Sequence, residues 1–91
     1  MGKAQSKETT LRELATIPGV GKSIALDLWE LGFRSIQGLN NQNPERLYQK
    51  QCDRKGVIVD RCMLYVLRCA VYYASKKKHD PRLLKWWNWK D

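Results

Sequence analysis

Six consecutive residues, Ile17-Pro18-Gly19-Val20-Gly21-Lys22, hold the most distinctive chemistry this chain offers. A helical pattern runs into Pro18, and a second one runs out from Lys22. Gly19 and Gly21 permit a tight reversal between them, with backbone dihedrals that other residues disfavour. The start of a helix leaves N–H groups without intrahelical acceptors, and the helix dipole adds positive potential there. With a lysine beside it, such a start suits an anion, phosphate above all. The candidate contacts are Gly19, Val20, Gly21, Lys22 and Ser23. The bland reading of the same residues is a turn that joins two packed helices and binds nothing.

Lys55-Gly56-Val57 is a second, poorer candidate hairpin. Arg61, Arg68, Lys76, Lys77 and Lys78 are candidate supporting cations. The lysine run also reads simply as a solvated helix end, of the sign the helix dipole prefers there. Arg61 and Arg68 fit acid pairing as well as phosphate contact.

Other reactive groups are sparse. Cys62 and Cys69 stand seven residues apart, about 10.5 Å along a helix, beyond disulfide reach. They are also too far apart to share one zinc at about 2.3 Å per bond. Cys52 could meet only one of them, and the single His79 lies elsewhere. The expectation is buried thiols and no metal. No carboxylate cluster suggests two-metal chemistry, and a lone histidine gives no triad. The expected protein is not an enzyme. An accessory role beside a nuclease or lyase is the weakest alternative.

Seventeen basic residues oppose nine acidic ones, for a net charge of +8 over 91 residues. That favours a polyanionic partner. A hydrophobic fraction of 43%, with four Trp and four Tyr, supports one packed domain. No apolar run reaches the roughly 18 residues of a membrane span. The segment MGKAQSKETT lacks the apolar stretch of a signal peptide. A cytoplasmic location with reduced thiols follows as an expectation.

The elements that would position these groups are helical. Residues 1–8 are expected to be disordered and 9–91 to form the domain. Thr10 and Glu13 have capping-box spacing, which predicts a helix over 11–16. A second helix is predicted over 22–31, stopped by Gly32. Phe33, Ile36 and Leu39 suggest a short third. Asn43-Pro44 should start a fourth, over 44–54, and Gly56 should end it. Asp60 should cap the longest helix, 60–76. There Cys62, Tyr65, Val66, Cys69, Ala70 and Tyr73 form one apolar stripe, and Leu64, Leu67 and Val71 form another. Apolar around most of its circumference, it should be the central helix. Asp80-Pro81 should open a last helix within the Trp-rich segment 80–90. In that segment Trp87 is expected to pack with Leu83 and Leu84, leaving Trp86 or Trp89 available. The fold class is all-α, with five or six short helices.

Leu14-x-x-Ile17-Pro18-Gly19-Val20-Gly21-x-x-x-Ala25 resembles the helix-hairpin-helix motif of DNA repair and recombination proteins. Residues 11–32 and 44–75, each a helix, a turn and a helix, are similar to its tandem arrangement, the second copy being degenerate. The resemblance implies sequence-nonspecific binding of DNA backbone by the N–H groups of Gly19, Gly21 and Ser23. It also implies a monovalent cation on the carbonyls of Ala15, Ile17 and Val20. Glycosylases with this motif that cleave the strand carry a lysine at the place of Ser23, and an aspartate after the second helix. Here the lysine is Lys22, and Asn40 and Asn41 stand where a carboxylate would be sought, so catalysis is not implied. Over nearly its full length the chain also resembles the small bacterial "pathogenicity locus" family, through PGVGKSIALDLWELGFRSI, VDRCMLYVLRCAVYYA and DPRLLKWWNWKD. The expected function is a DNA-binding module for repair or recombination, with a homodimer or protein partner in view. The alternative is a protein-interaction adaptor that uses the scaffold and the Trp-rich tail.

Overall fold

A computed structural model describes residues 6–91. They form four α-helices: α1 (Lys7–Leu14), α2 (Lys22–Glu30), α3 (Pro44–Lys55) and α4 (Cys62–Ser75). Three 3-10 turns add Gln37–Leu39, Pro81–Leu84 and Trp86–Trp89, and no strand occurs among the described residues. The architecture is all-helical, with four α-helices where five or six short helices were expected. The connector supplies one 3-10 turn instead, and the Trp-rich segment two.

The first helix starts four residues earlier than its predicted bound. Ser6 caps it, its side chain accepting the Thr9 N–H at 3.1 Å. The expected Thr10–Glu13 box does not form: Thr10 is buried inside the helix, and Glu13 Oε2 accepts the Ile36 N–H at 2.9 Å. Lys7 and Glu8 are therefore helical, against the expected disorder. Residues 1–5 of that expectation lie outside the described residues.

Gly32 ends α2 as predicted. Its φ is +107°, and the Phe33 N–H reaches back to the Leu28 carbonyl at 3.0 Å, the long bond of a glycine-terminated helix. Asn43 caps α3, with Oδ1 accepting from Glu45 N at 3.0 Å and Arg46 N at 3.3 Å. Pro44 fills the first helical position, where its missing N–H costs nothing.

Seven of the fourteen residues of α4 are buried. They are Met63, Leu64, Val66, Leu67, Cys69, Ala70 and Val71. This is the central helix, and α3, the connector turn and both turns of the Trp-rich segment pack on it. Leu14, Ile17, Val20, Ala25 and Leu28 from the α1–α2 unit join the same core. Of the stripe expected through Cys62, Val66, Cys69 and Ala70 are buried, while Cys62 is exposed and Met63 is buried beside it.

Candidate nucleic-acid interface

The turn between α1 and α2 is built from the inside out. Ile17 and Val20 are buried, at 1% and 3% exposure, and anchor the reversal in the core. The Val20 N–H closes the turn on the Ile17 carbonyl at 2.9 Å. Pro18 stands second and Gly19, at φ +86°, stands third, the pattern of a type II turn. A methyl built on Gly19 would lie 3.0 Å from Trp86 Cδ1. Gly19 is thus required twice, by its backbone angle and by the indole beneath it.

Gly21 differs. Its φ is −89° and its ψ −170°, open to any residue, and a methyl there would meet nothing within 4 Å. The fold has no need of glycine at this position. Gly21 is also the cap of α2, which has no side-chain capping bond. Among the described residues, no acceptor takes the N–H of Gly19, Gly21, Lys22, Ser23 or Ile24. Gly19, Gly21, Lys22 and Ser23 are exposed. The structure brings the predicted donors together, with their N–H groups uncommitted, while Val20 is buried and its N–H is used in the turn.

Lys22 makes no ion pair among the described residues. With Glu8, Leu11, Arg12 and Ala15 it lines a cleft of ≈ 450 Å³ beside the turn. Arg12 therefore joins Lys22 as a second cation here. The periodicity of α1 could have shown this, since Arg12 falls on the face opposite Leu14.

The Lys55–Val57 hairpin is arranged otherwise. Gly56 caps α3 at φ +70°. The Gly56 and Val57 N–H groups both donate to the Cys52 carbonyl, at 2.8 and 3.3 Å. Lys55 Nζ lies 3.6 Å from Asp27 Oδ1. The start of α4 is closed too, because Asp60 Oδ1 accepts the Cys62 N–H at 2.8 Å. That bond holds the Asp60 carboxyl below the usual carboxylate range. All three parts of this candidate site have internal partners.

The supporting cations divide. Arg61 Nη2 pairs with Asp91 at 2.6 Å. Arg68 pairs with Glu45 at 3.0 Å and Asp91 at 2.9 Å, and it donates to the Trp89 carbonyl at 2.8 Å. These arginines fasten the chain end to α3 and α4, and the two together hold the Asp91 carboxyl low. Lys76, Lys77 and Lys78 are exposed and unpaired among the described residues.

The tryptophans reverse their expected roles. Trp86 and Trp89 are half-buried, while Trp87 is 50% exposed. Nothing in the local pattern marks Trp86 as the support of Gly19, which lies 67 residues away. Of the three free cysteines, Cys52 and Cys69 are buried and Cys62 is exposed. Burial pushes the Cys69 thiol up to about 11. A hydrogen bond to Asp60 raises the Cys62 thiol. Neither thiol favours its reactive thiolate. No group of three His, Cys, Asp or Glu side chains among the described residues could hold a metal ion. No described helix is long and apolar enough to cross a membrane.

No solved structure matches the chain significantly. It is similar to a mitomycin resistance protein of Streptomyces lavendulae, McrB, with 29% identity over 77 residues. That match covers 85% of this chain and 70% of the relative. The model of the family described as Cdd1, pathogenicity locus, matches residues 7–91. The match takes in the α1–α2 turn, the central helix and the Trp-rich segment together, and the chain belongs to the pathogenicity locus family.

Proposed function

We propose that the protein is a non-catalytic module that grips DNA backbone, independent of sequence, through the α1–α2 turn. The observation that carries this reading is the open start of α2. Its N–H groups have no acceptor among the described residues, and they surround a glycine that the fold does not require. A glycine free of internal constraint suits close approach of a ligand to the backbone. Phosphate is the ligand these groups match, through backbone donors, the helix dipole and Lys22 and Arg12, which have no ion pair among the described residues. The helix-hairpin-helix resemblance at Leu14–Ala25 points the same way and makes repair or recombination the natural setting.

The carbonyls of Ala15 and Val20 accept no N–H among the described residues, and Ile17 uses one lone pair in the turn. Such neutral oxygens fit a hard monovalent cation, which would add positive charge beside the phosphate. A cytoplasmic location, and a second copy or a protein partner that raises affinity, belong to the same reading. The Streptomyces relative is named for mitomycin resistance. Resistance to that compound is the cellular phenotype we expect from expressing this chain.

The test is fluorescence anisotropy with labelled duplex, single-stranded and junction DNA across salt concentrations. Log affinity should fall with log salt by about 0.9 per phosphate held. Folded Lys22→Glu and Gly21→Val should each bind about tenfold more weakly, equivalent to about 1.4 kcal/mol. Unchanged binding by folded Lys22→Glu, or no binding by wild type at low salt, overturns the proposal.

A second reading, a protein adaptor, rests on Val57 and Ile58, apolar yet 61% and 91% exposed. It moves the docking surface from the Trp-rich tail, where Trp86 and Trp89 are half-buried, to the α3–α4 loop. A protein partner that stays bound in high salt and is lost with Ile58→Asp would favour it.

A further inference from the structure

Three of the four tryptophans have occupied rings. The Arg34 guanidinium covers Trp29, 3.6 Å from its centroid. Trp86 lies against Gly19. Trp89 donates its N–H to the Leu83 carbonyl at 2.8 Å and sits 5.6 Å from the Tyr72 ring. Trp87 alone is exposed, at 50%, with no hydrogen bond from its side chain and no cation on its ring among the described residues.

Its position is nevertheless fixed. Its ring meets Trp86 edge-to-face, with centroids 5.8 Å apart. The next residue, Asn88, donates its backbone N–H to the Lys85 carbonyl at 3.0 Å. The Asn88 side chain donates to the Arg82 carbonyl at 2.7 Å. Trp86 therefore links the exposed indole directly to the Gly19 turn. Lys85 stands two residues before it and Lys90 three after it in the sequence, both exposed and without an ion pair among the described residues.

A held aromatic face, one ring away from the turn and in a segment that carries two exposed lysines, complements a nucleotide more closely than an apolar partner. The ring offers a stacking surface and the lysines offer charge for phosphates. A paired base inside a duplex has both faces covered, so the complement must be unpaired. We propose that Trp87 stacks on an unpaired base of DNA, with Lys85 and Lys90 holding neighbouring phosphates. The protein then prefers duplex with a single-stranded overhang to blunt duplex. This rests on the phosphate-binding reading of the α1–α2 turn.

The test compares labelled blunt duplex with the same duplex carrying an overhang, using wild type, Trp87→Ala, Trp87→Phe and Lys22→Glu. Circular dichroism checks folding, which the exposure of Trp87 should spare. Wild type should favour the overhang, and Trp87→Ala should lose roughly 5- to 150-fold on it. The same variant should change little on blunt duplex, and Trp87→Phe should keep most of the preference. Equal loss on both substrates, or an unchanged preference in Trp87→Ala, overturns the stacking proposal alone. Unchanged binding by Lys22→Glu overturns the phosphate reading and this inference with it.

Discussion

Between α1 and α2 the chain turns through Pro18 and Gly19, and between α3 and α4 it turns through Gly56. Each turn carries a left-handed glycine and a lysine close by. In the first, the N–H groups from Gly21 to Ile24 meet no acceptor among the described residues. In the second, the Cys52 carbonyl takes two N–H groups, Asp60 takes a third, and Asp27 faces the lysine. A glycine and a lysine at a reversal are therefore not sufficient for an anion site. What separates the two turns is the residue at the start of the following helix. Gly21 has no side-chain oxygen to offer the N–H groups of its own helix, whereas the Asp60 side chain takes one, that of Cys62.

Substitution at Gly19 should give the largest effect. Gly19→Ala meets a positive φ and the Trp86 ring together, and should cost about 2–4 kcal/mol in urea unfolding. Gly56→Ala meets a positive φ with open space around it, and should cost about 1–2 kcal/mol. Equal costs would show that the tail does not support the first turn.

Charge reversal should separate the turns next. Lys22→Glu should weaken DNA binding about tenfold. Lys55→Glu, the same change of charge, should weaken it less than about twofold, since Lys55 already faces Asp27 and surface pairs are worth little. Comparable losses in anisotropy titrations would erase the distinction.

Capping gives a smaller contrast. Asp60→Ala should cost about 1 kcal/mol by removing a helix cap. Gly21→Ala should stay within about 0.5 kcal/mol and still weaken DNA binding.

Acid should act on one side only. Asp60 is held low by the Cys62 N–H, Asp80 by Arg82, and Asp91 by Arg61 and Arg68. Their folded-state values lie below the unfolded ones. The stability they add is present above about pH 4 and is lost as pH falls through the lowered values. The thermal midpoint should stay level from pH 7 to 5, then drop, with the α3–α4 loop and the tail loosening before the first turn.

Much of this arrangement could be read from local signals. The α2 start, the Gly32 stop, the Asn43-Pro44 cap, the Gly56 stop and the central helix each depend on neighbours within one or two turns. The errors follow from distant partners. Thr10 lost its cap role because Ser6 stood one turn earlier and Ile36 claimed Glu13. Trp86 and Trp87 exchanged roles because Trp86 packs against Gly19, 67 positions away. The sequence leaves Arg61 and Arg68 open between acid pairing and phosphate contact, because Asp91 is 30 and 23 positions away. The open donors were visible as Gly-x-Gly-Lys. Whether the second turn was open was not, because that depended on how α3 ended and on which atom Asp60 capped.

The most direct measurement is a ¹H–¹⁵N NMR titration of the whole chain with short duplex DNA. The backbone amides of Gly21, Lys22 and Ser23 should shift with saturation, while those of Gly56 and Val57 stay in place. Shifts centred on Gly56 and Val57, or none at Gly21, Lys22 and Ser23 under conditions of binding, would contradict the assignment of the α1–α2 turn as the phosphate site.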